Sequence, residues 1–181
     1  MRRIIPIAAV VVSMAAAGCA TLSVSSHVEP GLDFSQFTTF DWGEPDALPL
    51  SDPRLAGDPN FNDWVQGAVE RNLAMKGLML APEGTTADLQ VHYHANISDR
   101  IDLSTLDQDF GFCTGEGCQP EVEIYEAGTL VIDIVDPATQ RILWRGWARG
   151  SVEDELDNPD AMEATIEDAV ARMLARFPRS L

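Results

Sequence analysis

GTLVIDIVDPATQRILWRGWARG, residues Gly128–Gly150, reads as two strands and a tight connection. Leu130, Ile132 and Ile134 alternate with Val131, Asp133 and Val135, the two-residue period of a pleated strand. Asp136-Pro137-Ala138-Thr139-Gln140 is the break, where Pro137 fixes φ and the Asp136 side chain can bond the following backbone. The return strand sets Ile142, Trp144, Gly146 and Ala148 on one face and Leu143, Arg145, Trp147 and Arg149 on the other. Asp133 and Arg145 then sit opposite or diagonal to one another as a cross-strand ion pair. A lone hairpin is marginal in water, so this one needs neighbouring strands and a covering layer. It is expected at the centre of a sheet.

The covering layer is legible on both sides of the hairpin. Phe61, Val65, Ala68, Val69 and Leu73 form one apolar stripe at helical spacing, with a start near Asp58 or Pro59 and a stop at Gly77. Met162, Ile166, Ala169, Met173 and Phe177 form a second, widened by Val170 and Leu174. Asn158 caps that helix, Pro159 takes its first position and Pro178 ends it. Ala87 to Ile97, ADLQVHYHANI, alternates cleanly as a strand with one wet face. Thr21 to Glu29 and Thr38 to Trp42 read as two earlier strands, and Leu78 to Leu80 as a short extended piece. Residues 43–59 and 98–123 read as loops. The expected fold is α+β: a two-layer sandwich, a mostly antiparallel sheet of about five strands with two helices on one face, in the order ββαβββα.

At 181 residues there is room for one domain behind a targeting segment. The formal charge is −17, from 12 basic and 29 acidic residues. Without Arg2 and Arg3, 10 basic residues remain against 29 acidic, a balance of −19. Such a surface repels phosphates and anionic headgroups, which excludes nucleic acid as a partner.

Residues 1–18 carry a basic start at Arg2 and Arg3 and an apolar run too short to span a bilayer. They end in Ala16-Ala17-Gly18 before Cys19, which resembles a bacterial lipoprotein signal. The resemblance implies cleavage before Cys19, acylation of Cys19, and membrane attachment through that lipid by two or more chains. Ala20 in place of an aspartate favours the outer membrane, facing the periplasm. Residues 19–181 then form the single mature domain. In an exported chain, Cys113 and Cys118 are expected as a local disulfide. A redox or zinc role for the pair has no further ligands at suitable spacing.

His92 and His94 are two apart and project from one strand face, a two-ligand arrangement that needs a third group for a metal. His27, the remaining histidine, lies far off in sequence, and a polar face holding two histidines is the ordinary reading. Asp107, Asp109 and Gly111 lack the spacing of a calcium loop. No nucleophile elbow, phosphate loop or catalytic carboxylate pair stands out, so no catalytic residue and no cofactor is assigned.

DFSQFTTFDW (residues 33–42), ADLQVHYH (87–94), GTLVIDIVDPATQRILWRG (128–146) and AVARMLARFP (169–178), with the motif ending at Cys19, together resemble the domain-of-unknown-function 4136 family of bacterial lipoproteins. The resemblance covers nearly all of the mature chain but brings no established activity and no functional residues. Three functions remain. A non-enzymatic envelope lipoprotein that binds another envelope protein or supports an assembly comes first. A small-ligand or metal-binding periplasmic module around His92 and His94 comes second. An enzyme, as an uncharacterised hydrolase, comes last.

Overall fold

The computed structural model describes residues 22–43, 52–102 and 123–178. Cys19, Cys113, Cys118, Asp107 and Asp109 lie outside the described residues. The strands are β1 (Ser23–Val28), β2 (Thr39–Trp42), β3 (Met79–Leu80), β4 (Leu89–Asp102), β5 (Glu123–Val135) and β6 (Ile142–Ser151). The helices are α1 (Pro53–Gly57), α2 (Phe61–Met75) and α3 (Pro159–Leu174). One six-stranded sheet runs β1-β6-β5-β4-β2-β3. The β5–β6 hairpin thus has neighbours on both sides, which supplies the partners it needs. Antiparallel pairing dominates, but β2 lies parallel to both β3 and β4.

Both long helices cover one face. The two apolar stripes are buried along their whole length, from Phe61 to Leu73 and from Met162 to Phe177. They close over Leu89, Val91, Ile132, Ile134 and Trp144 of the sheet. Gly77 sits at φ 76°, and the amides of Gly77 and Leu78 bond the Ala74 and Leu73 carbonyls, a left-handed stop that only glycine adopts without strain. The Asn158 side chain accepts from the Ala161 amide at 3.2 Å, the expected cap. In the hairpin turn, Asp136 Oδ1 accepts from the Ala138 and Thr139 amides at 2.8 and 3.1 Å.

Four expectations change. The sheet has six strands, because Met79 and Leu80 pair with Thr39 and Phe40. A third helix, α1, forms inside the stretch read as a loop at 43–59, capped by the Asp52 side chain at the Arg54 amide. The region read as a loop at 98–123 is strand at both ends: β4 and β5 pair from Gln90↔Val135 out to Asp102↔Glu123. Their outer part forms a two-stranded ribbon past the end of β6, held to α1 where Arg54 Nη2 reaches Glu126 Oε1 at 2.6 Å. The second helix starts at Phe61, with Asn60 as its cap, and Asp58 instead bonds the Asn60 amide.

The faces of the hairpin follow the alternation with one exception. Trp144 is fully buried, edge-on to Phe177, and Trp147 lies on the helix-free face opposite Val131. Ile142, expected on the same face as Trp144, pairs instead with Val135 and is 39% exposed. A bulge absorbs Leu143 between the pairs Ile134↔Trp144 and Val135↔Ile142, and this switches the face of Ile142.

Candidate functional site

The face of the sheet opposite the helices gathers the ionisable residues of the central strands. Register aligns His27 of β1, Arg145 of β6, Asp133 of β5 and His92 of β4 in one row across the sheet. The next row holds Ser25, Trp147, Val131 and His94. Cross-strand partners share a face, so all three histidines belong to this surface.

Asp133 is the centre of the first row and is buried despite lying on the helix-free side. Arg145 stands directly opposite and grips it with two prongs. Nε lies 2.5 Å from Oδ1 and Nη2 lies 2.6 Å from Oδ2. The Asp133 hydrogen bond raises the guanidinium pKa above its usual value, against a smaller opposing effect of burial. His94 Nε2 approaches Asp133 Oδ2 at 3.8 Å, too long for a hydrogen bond. Its Nδ1 is buried and takes no hydrogen bond among the described residues. His92 Nε2 lies 3.1 Å from Gln90 Oε1. The His92 ring is seated on the backbone at Gly43, where an added Cβ would lie 2.0 Å from ring carbon Cε1.

His92 and His94 therefore share a face, as their spacing requires, but each has a separate neighbour. His27 lies three strand spacings from His92, roughly 14 Å at 4.8 Å per strand. No group of three His, Cys, Asp or Glu among the described residues is placed to hold a metal ion. Sequence reasoning anticipated Arg145 opposite Asp133 but missed the alignment of His27 with that row, because only the β1–β6 register reveals it. Asp133 is held by Arg145 through both carboxylate oxygens, so its chemistry is that of a structural anion rather than a free base.

The other layer holds an apolar crevice of about 60 Å³ between the sheet and α3. Phe61, Ile97, Leu130, Ala148, Met162 and Ile166 are among the residues that line it, and none of its lining side chains is titratable. It suits a small apolar group better than a polar substrate.

Elsewhere, charged groups act as fasteners. Asp88 Oδ2 accepts from the Thr38 and Thr39 amides at 2.8 and 3.0 Å and from the Thr38 hydroxyl at 3.0 Å. The Asp88 amide donates in turn to Thr39 Oγ1 at 3.1 Å. These bonds, the Thr38 amide first, hold the Asp88 carboxyl below the usual range. The clamp joins the start of β2 to the start of β4 and fixes their parallel register. Trp42 Nε1 donates to Glu70 Oε1 at 2.9 Å, tying β2 to α2. No helix among the described residues is long and apolar enough to cross a membrane.

No curated protein matches the chain. Solved structures do. A PDZ domain protein from Parabacteroides distasonis aligns with TM-score 0.56 and 17% identity over 88% of this chain. This chain spans 37% of that protein's length. A DUF4136 family protein from Bacteroides thetaiotaomicron aligns with TM-score 0.54 and 15% identity, over 87% of this chain and 96% of its own. At such identities both likenesses speak for the fold alone. Residues 24–179 match the family described as Domain of unknown function (DUF4136), and the chain belongs to that family.

Proposed function

We propose that this DUF4136 protein is a non-enzymatic module of the bacterial envelope, anchored through acylated Cys19 and binding a protein partner at the membrane. The observation that carries the reading is the state of the helix-free sheet face. Its central charge, Asp133, is locked in a two-pronged pair with Arg145, on a broad strand surface rather than in a cleft. The crevice on the other side has no titratable wall. Broad faces with fixed charges suit protein recognition, whereas catalysis asks for convergent groups with free lone pairs. The basic start, the apolar run and Cys19 support export and lipidation, with the outer membrane as destination. Cys113 and Cys118 complete the picture as a disulfide of the exported domain.

The test has two arms. Cells fed an alkyne fatty acid should label the wild-type chain and not Cys19→Ala, which should leave the membrane fraction. Crosslinking in intact cells should capture one reproducible envelope protein. Equal labelling of both chains removes the anchor, and capture of nothing above background removes the partner.

A second reading, a metal or small-ligand module near His92 and His94, is favoured by one observation. The His94 Nδ1 is buried without a hydrogen bond, a state a bound ligand would relieve.

A further inference from the structure

The two edges of the sheet are not alike. β3 is two residues long, and Pro82 follows shortly after it, so that edge is blunt. β1 pairs with β6 in unbroken register over six residues, Ser23↔Arg149 to Val28↔Trp144. Its sequence, SVSSHV, contains no Lys, Arg, Asp, Glu or Pro. Exposed edge strands ordinarily carry charge, proline or a bulge to discourage pairing. β1 has none of these.

The direction of its free groups follows from one hydrogen bond. The Glu29 amide donates to the Leu143 carbonyl at 2.8 Å. Antiparallel pairing alternates along the strand, so His27, Ser25 and Ser23 turn their amides towards β6 in the same way. Val24, Ser26 and Val28 turn theirs outward, to the side where no strand among the described residues pairs with β1. That side offers a row of donors and acceptors at strand spacing.

We propose that β1 is a strand-addition site for an extended segment of a partner protein whose helix-free-face positions are acidic. This rests on the protein-binding reading above and names its surface. The charge follows from β6, the next strand in. Arg141, just before β6, and Arg145 and Arg149 within it are three of the 12 basic residues in a chain of formal charge −17. Arg141 is paired with Glu29 at 2.6 Å and Arg145 with Asp133. Arg149 is exposed, with only Thr129 Oγ1 at 3.4 Å and no carboxylate among the described residues. It lies directly across from Ser23, a side chain too short to screen it from an added strand. His27 stands two pairs along on the same face. A carboxylate on the incoming segment would meet Arg149 from the open side. Long-range repulsion by the acidic remainder is screened beyond about 8 Å at about 0.15 M salt, so the local cations decide. A second copy fits less well, because its own β1 has no acid to present to Arg149.

The probe is a fluorescent six-residue peptide alternating glutamate and valine, titrated into the purified soluble domain at about 0.15 M salt. It should bind saturably and slow hydrogen exchange at the Val24, Ser26 and Val28 amides. Its lysine–valine counterpart should bind about tenfold more weakly or worse. Ser26→Pro removes one outward donor and leaves the β1–β6 bonds in place, as proline permits on an edge. It should weaken binding about tenfold with the fold retained by circular dichroism. Arg149→Glu, which touches nothing in the core, should reverse the preference between the two peptides. Equal binding of both peptides, protection elsewhere than β1, or no saturable binding overturns the site. So does a concentration-dependent dimer that protects the same amides without peptide. If cellular crosslinks survive in Ser26→Pro and Arg149→Glu, the edge falls while the partner reading stands.

Discussion

Asp133 and Arg145 face each other directly across β5 and β6, and the guanidinium holds both carboxylate oxygens at 2.5 and 2.6 Å. The pair is asymmetric in exposure: the Asp133 side chain is 5% exposed and that of Arg145 is 42% exposed. Removing the exposed partner strands a buried charge. Arg145→Ala should therefore destabilise the domain by about 2–3 kcal/mol, below the full cost for a wholly buried pair because solvent reaches one side. Replacing both, as Asp133→Leu with Arg145→Met, should cost less than the single change. Urea denaturation of the two variants decides it. If the single variant unfolds within about 0.5 kcal/mol of wild type, the pair is not a structural anchor.

On the other face of β6, Trp144 lies over Gly146. A Cβ added at Gly146 would sit 2.3 Å from the Trp144 ring carbon Cη2. That ring is fully buried and backed by Phe177, so it has nowhere to go. Gly146→Ala should cost about 1–3 kcal/mol by overpacking and shift the tryptophan fluorescence. A melting temperature equal to wild type means that the ring moves aside freely.

The same strand shows how far a sequence can be read. Period-2 alternation set Trp144 and Trp147 on opposite faces, because a strand's side chains alternate whatever lies on either side of it. Ile142 was misplaced because the bulge at Leu143 depends on backbone register, for which no residue type is a signature. The ribbon beyond Ile97 was hidden for another reason. Ser98 is half-buried and Asp99 and Arg100 are exposed, so no core selects apolar residues there. The parallel placement of β2 depends on Asp88 reaching back to Thr38 and Thr39 across about 50 residues. That contact is invisible to local patterning. Of the candidate site, the shared face of His92 and His94 was legible from spacing. Their separation from His27 was not, since it depends on how β1 docks on β6.

The geometry at the histidines bears on the metal reading. The His92 ring is seated on Gly43 with Nε2 at Gln90, and His94 leans towards Asp133. Zinc would have to displace these contacts before gaining two ligands. Zinc added to the purified domain should leave its melting temperature unchanged, since a ligand stabilises only by binding the folded state more tightly than the unfolded one. A rise that disappears in His94→Ala would instead revive the metal module.

Asp88 gives the stability of the domain an acid limb with a definite sign. Its carboxyl pKa is lowered below 3.8 in the folded chain, chiefly by the Thr38 and Thr39 amides. A depressed carboxylate stabilises the fold above its unfolded pKa, and that stability drains away as pH falls through the folded value. The domain should therefore lose stability from about pH 4 downward. Asp88→Asn keeps an oxygen for the amides but not the charge. It should start lower at pH 7, by about 1 kcal/mol after allowance for solvent exposure, and lose less between about pH 4 and pH 2. Parallel curves for the two chains across that window would show that the clamp at the start of β2 does not depend on charge. The parallel register of β2 would then have to rest on the burial of Phe40 and the bond from Trp42 to Glu70.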